Sequence, residues 1–175
     1  MEDLKYPIGK FEPKPFSNTQ LEEWLIDIEV LPKALEFSIV NLDAQQLEEP
    51  YRQDGWTIKQ VVHHVADSHT NALIRIKLGL TEVNPTIKPY DEAAWANLND
   101  VELVPINVSL TMVHCIHAKM LALFTSMQAA DWDKTIYHPA SEMTITMWEM
   151  LGTYAWHGKH HTAHINTMRA RKNWN

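Results

Sequence analysis

The stretch from Thr146 to Lys172 most restricts what this chain can fold into, being long, free of proline and helical in period. At ~100° of rotation per residue, Met147, Leu151, Tyr154, Gly158, Ile165 and Met168 share one stripe, and a predicted helix with such a stripe must bury it against other helices. Thr146 and Glu149 have capping-box spacing, which marks its start. Three other stretches read the same way. From about residue 19 to 40, Leu21, Trp24, Leu25, Ile28, Leu31, Leu35 and Ile39 recur at three- and four-residue intervals, and Pro32 is expected to kink or divide that helix. Thr57 and Gln60 form a second capping box and open a helix carrying Ile58, Val61, Val62, Val65, Ala72, Leu73, Ile76 and Leu80. A third runs from Ser109 to about Met127 and is apolar on more than one side.

The segments between are poor in strand signal. Residues 1–18 hold Pro7, Pro13, Pro15 and Gly9, which suits an extended arm laid over the domain. The long connection from Thr81 to Val108 contains Pro85, Pro89 and Pro105, with a turn or two of helix capped by Asp91. A strand is expected at most around Met143 to Ile145. The predicted fold is all-α: a four-helix bundle with an N-terminal arm and a long crossover loop, in a single domain of 175 residues.

Composition narrows the function. A hydrophobic share of 45% with 21% charged residues is that of a globular domain. No apolar run reaches the ~20 residues of a membrane span, and no charged-then-apolar leader opens the chain, so a cytoplasmic protein without a membrane partner is expected. The net charge of -7 argues against nucleic acid, which needs a concentrated basic surface. Cys115 is the only cysteine, so metal ligands would have to be His, Asp or Glu.

Four of the ten histidines, His157, His160, His161 and His164, fall within eight residues of the last helix. His160 and His164 form one i, i+4 pair and His157 and His161 another, and either pair can aim two imidazoles at one ion. The spacing matches the H-x-x-x-H part of a metalloprotease motif, with His161 where that motif has its catalytic Glu. The four span an arc of roughly 100° beside the apolar stripe, too wide for all to bind one ion, and helical geometry does not separate the two pairs. A third ligand is expected from the helix that carries His63, His64 and His69. Periodicity turns His63 away from the apolar stripe and leaves His64 and His69 open. His114 and His117 read as boundary residues, and Met112, Met120, Met127 and Cys115 as packing.

The segment Gly55-Trp56-Thr57-Ile58-Lys59-Gln60-Val61-Val62-His63-His64-Val65-Ala66-Asp67-Ser68-His69, taken with Trp156-His157-Gly158-Lys159-His160-His161-Thr162-Ala163-His164-Ile165, resembles the YfiT-like branch of the DinB superfamily. These are bacterial metal-dependent hydrolases and thiol transferases. Tyr6-Pro7-Ile8-Gly9, Pro89-Tyr90-Asp91-Glu92 with Trp95, and Tyr137-His138-Pro139 extend the likeness over essentially the whole chain. The resemblance implies an up-down-down-up bundle, a homodimer, and one divalent ion per subunit held by His64, His160 and His164.

Three neutral imidazoles leave a metal with open positions, the arrangement of a catalytic site. Zinc is expected ahead of nickel, since imidazole suits both. The leading expectation is a metal-dependent hydrolase that activates water for attack on a small-molecule substrate. A second is transfer of a low-molecular-weight thiol such as bacillithiol onto an electrophile, and a third is a bundle that the metal merely stabilises. Asp67, three residues beyond His64, is the candidate general base, with a surface carboxylate as its plainer reading. Tyr90, Asp91 and Trp95 could cap the pocket. Arg75 could hold a substrate carboxylate, though an ordinary ion pair explains it as well.

Overall fold

The computed structural model describes residues 2–174, the side chains of residues 2 and 3 excepted. In chain order its elements are α1 (Glu2–Lys5), α2 (Asn18–Ile39), α3 (Ala44–Leu47), α4 (Ile58–Thr81), α5 (Glu92–Trp95), α6 (Asn99–Leu103), α7 (Ile106–Ser126), a 3-10 turn (Ala129–Asp131), β1 (Thr135–His138), β2 (Met143–Thr146) and α8 (Met147–Lys172). The long helices begin where side chains satisfy their free N–H groups. Thr57 and Thr146 each form a complete capping box, with Gln60 and Glu149 respectively. Ser17 caps α2 by accepting from the Gln20 N–H.

Side-chain contacts set the direction of each helix. Trp24 lies under Gly152 and Leu31 under Gly158, so α2 and α8 run parallel. Ser109 meets His63 and His117 meets His69, so α7 runs parallel to α4. His64 faces His157 while Arg75 reaches Tyr154, which makes α4 and α8 antiparallel. His117 lies at Ile28 and His114 at Glu36, so α2 and α7 are antiparallel as well. The bundle is therefore up-down-down-up, with α2, α8, α4 and α7 packed in a ring. Because α4 and α7 are neighbours pointing the same way, the chain must return along the bundle between them. Residues 82–105, with α5 and α6, make that return.

Two apolar clusters fill the interior. One gathers Trp24, Ile28, Ile76, Met120, Phe124 and Leu151, and the other Leu31, Leu35, Val61, Val65, Val113 and Ile165. His69, His117 and the α8 histidines fall where the clusters part, between the apolar positions of their own helices. Most of the buried histidines thus gather at one level of the bundle.

Several expectations change. Pro32 does not divide α2, which is continuous over 22 residues. The arm opens with one helical turn, α1, before running extended along α8; there Trp156 and Trp148 donate their indole N–H groups to the carbonyls of Gly9 and Lys14. The strand expected near Met143 exists as β2, paired antiparallel to β1 in register from Thr135–Thr146 to His138–Met143. Helix α7 starts at Ile106 and is the most apolar of the long helices. Its Val113, Ile116, Met120 and Phe124 are packed into the bundle core.

Candidate metal centre

Helices α4 and α8 bring three imidazoles together at mid-bundle. His64, His157 and His161 each present a ring nitrogen, and the three nitrogens lie within 4.8 Å of one another. His64 Nε2 and His157 Nε2 are 3.4 Å apart. Two nitrogens ~2.0–2.1 Å from one tetrahedral ion stand ~3.3–3.4 Å apart, so this pair already has the spacing of zinc ligands. Trp56, from the turn before α4, tilts against the His64 ring at 4.5 Å and stacks over His161 at 6.4 Å, walling the site on that side.

Burial keeps all three rings neutral. His64 is pushed down to about 4 by desolvation, and His157 and His161 are held well below the ordinary imidazole value, first by burial and then by the neighbouring histidines. Neutral imidazole is the form that offers a lone pair to a metal. Within this set the Nδ1 atom of His161 is buried without a hydrogen-bond partner among the described residues. A donor set of three neutral nitrogens with unfilled polar capacity fits a divalent ion.

The three grouped nitrogens include one of the three ligands expected from the sequence, His64. His160 and His164 lie beside His161, with ring centroids 5.2 and 5.4 Å from its own, but outside the group of nitrogens within 4.8 Å. His160 stacks on Trp156 at 4.5 Å and faces Tyr6 in the arm. His164 stacks on Tyr51 at 3.9 Å, and its Nε2 contacts the Lys5 carbonyl at 3.1 Å. The two i, i+4 pairs lie ~60° apart around α8. Helix α4 packs on the side that carries Tyr154, His157 and His161, while the arm and the Tyr51 turn cover the side that carries His160 and His164.

Other candidates also move. His69, the alternative third ligand, is fully buried and contacts His157 Nδ1 at 3.0 Å from behind. His117, expected at a boundary, is 2% exposed and bonds His69. His63, expected to point outward, is buried against Ser109. Asp67 does not enter the nitrogen cluster; burial, and then the Asp100 charge, raise its carboxyl to about 6. Arg75 makes no ion pair among the described residues, and its guanidinium donates to Tyr154 Oη at 3.3 Å, one turn along α8 from His157. Tyr90 packs tilted against Trp95 at 4.4 Å, and its hydroxyl is buried without a partner among the described residues.

A family model described as the DinB superfamily matches residues 28–165. The chain belongs to the DinB superfamily. Within it, this DinB protein falls in the YfiT-like branch: its fold superposes on YfiT from Bacillus subtilis with a TM-score of 0.96, at 40% identity and over 99% of both chains. That structure is described as a probable metal-dependent hydrolase with an unusual four-helix bundle topology. Proteins of Bacillus cereus (strain 03BB102) and Bacillus thuringiensis subsp. konkukian (strain 97-27) are each 50% identical to this DinB protein over 99% of its length and 100% of theirs. Each bears the name "Putative metal-dependent hydrolase".

The sequence signal that groups His157 and His161, and not His160 and His164, with His64 was faint. On α8, His157 is three residues from Tyr154 and His161 four from His157, so the three follow the inward stripe more closely than the other pair. Nothing in the local pattern said which of the two flanks would meet α4.

Proposed function

We propose that this DinB protein is a metal-dependent hydrolase whose divalent ion is held by His64, His157 and His161. The convergence of three neutral, buried ring nitrogens from two facing helices carries the reading. When bound, such an ion supplies Lewis acidity and lowers the pKa of coordinated water toward ~7. The chain's own residues do the rest. His157 and His161, one turn apart on α8, fix the direction of two lone pairs, and His64 closes the set from α4. Trp56 shields the His64 and His161 rings from solvent. Arg75, held by Tyr154 and without a carboxylate partner among the described residues, offers a small-molecule substrate a cationic contact one turn from His157.

Transfer of a low-molecular-weight thiol is the second reading. The absence of any carboxylate from the nitrogen cluster, among the described residues, favours it, because a thiol deprotonated by the ion needs no further base. Zinc remains the first choice of metal and nickel the second, and the homodimer and cytoplasmic setting belong to the same proposal.

Elemental analysis of protein purified without metal-affinity steps tests the ligand set. About one equivalent of metal in the parent, lost in His161→Ala and kept in His160→Ala, is the expected result. Loss in His160→Ala with retention in His161→Ala overturns the assignment. Hydrolysis across an ester and amide panel, abolished by chelator and restored by Zn2+, separates the hydrolase from the thiol transferase.

A further inference from the structure

Behind the metal-facing nitrogen of His157 runs a line of three imidazoles that ends on a backbone carbonyl. His157 Nδ1 lies 3.0 Å from His69 Nε2, and His69 Nδ1 lies 2.7 Å from His117 Nε2. His117 Nδ1 in turn lies 2.6 Å from the carbonyl oxygen of Ile28. The line crosses all four bundle helices, from α8 through α4 and α7 to α2. His69 and His117 are 0% and 2% exposed.

That carbonyl is available because of a proline. In an unbroken α-helix the Ile28 oxygen would accept the N–H of residue 32, but residue 32 is proline and has none. The buried oxygen therefore needs another donor, and His117 supplies it. An oxygen can only accept, so the proton sits on His117 Nδ1 and the Nε2 of the neutral ring is an acceptor. His69 must then donate from Nδ1, which leaves its Nε2 as an acceptor. His157 must likewise donate from Nδ1. Its Nε2, facing His64, is left with the lone pair. The rings are neutral because their partners are one another, His64 and that carbonyl, with no carboxylate in the line to balance a charge.

We infer that Pro32, His117 and His69 form a positioning relay that fixes His157 in the Nδ1–H tautomer and so presents its Nε2 lone pair to the metal. The inference rests on the ligand set proposed above and adds the residues that orient one of its members. Partners of this kind on the far nitrogen of a ligand typically contribute ~10–100-fold to metal affinity. Here the support is a chain of two further histidines, set by a helix-interior proline.

Ring-nitrogen NMR of the metal-free, unsubstituted protein tests the relay directly. His157, His69 and His117 are each expected as the Nδ1–H tautomer; finding His69 or His117 with its proton on Nε2 overturns the relay. A second arm measures Zn2+ affinity by competition with a chelator. His69→Phe should weaken binding ~10–100-fold, while His63→Phe, which removes another buried histidine that contacts Ser109 and lies outside the line, should change it less than about twofold. Unchanged affinity in His69→Phe, or equal losses in both variants, overturns the inference. If the parent binds no Zn2+, the metal reading falls by itself, and the tautomers still decide whether the relay exists.

Discussion

At the scale of single residues, the division between His157 with His161 and His160 with His164 comes from what each ring packs against. All four are buried to some extent and all four have imidazoles depressed by burial, so charge state does not separate them. Contact does: two meet His64, and two meet Trp156, Tyr51 and the arm. The glycines of α8 set this orientation. A Cβ on Gly152 would stand 2.6–2.9 Å from the Trp24 ring, and one on Gly158 2.2–2.9 Å from the Leu31 side chain, so α8 lies close against α2 along that line. Gly152→Ala should therefore destabilise the protein. Overpacking against the rigid indole costs ~1–3 kcal/mol, against at most ~1 kcal/mol gained in helix propensity. Urea unfolding measures the difference, and a net gain in stability would mean the Trp24 ring can move aside.

At the scale of elements, the arm and the crossover segment do what their composition suggested, while their seating came from elsewhere. Three proline residues keep residues 6–17 out of a long helix, yet the arm lies where it does because Trp148 and Trp156 hold the Lys14 and Gly9 carbonyls from α8. Trp148→Phe keeps the aromatic packing and removes the N–H to Lys14. The arm should then detach more often, and trypsin should cut after Lys10 several-fold faster than in the parent; equal rates would show that packing alone retains it. The capping boxes at Thr57 and Thr146 and the helix periods were legible because they depend on neighbours three and four residues away. Helix α7 was bounded less well: its start at Ile106 follows Pro105, and no side chain caps it.

At the scale of the whole molecule, the histidine level carries a pH dependence. In the folded state, burial holds His117 at about 4 and His64 at about 4, against an ordinary 6.5, and His69, His157 and His161 also lie below it. Between these values the unfolded chain binds protons that the folded chain refuses. Stability is therefore full above pH 6.5 and is lost as pH falls toward 4. For His117 alone the loss across that window is about 3 kcal/mol. Asp67, raised to about 6, acts in the opposite sense, since its folded form takes up a proton more readily than the unfolded chain does, and it offsets part of the loss. Denaturant midpoints of metal-free protein should fall steadily from pH 7 to pH 4.5. A flat profile would mean that the histidines are not buried as a group.

What the sequence determined by itself was local: four amphipathic helices, their caps, the absence of a cysteine framework, and a density of histidine on α4 and α8 that pointed to a metal site. These follow from spacing along one helix, and spacing is a property of the chain. Which histidines meet depends on the rotation of α8 about its own axis, fixed by Gly152 and Gly158 against α2 and by the arm on the far side. Residues nearly a hundred positions apart, His64 and His157, become neighbours only through that rotation. The same holds for Pro32. In the sequence it looked like a break in a helix, and in the bundle it frees the Ile28 carbonyl for His117. Tertiary packing decided both, because a side chain's partner across a bundle depends on the faces of two helices at once.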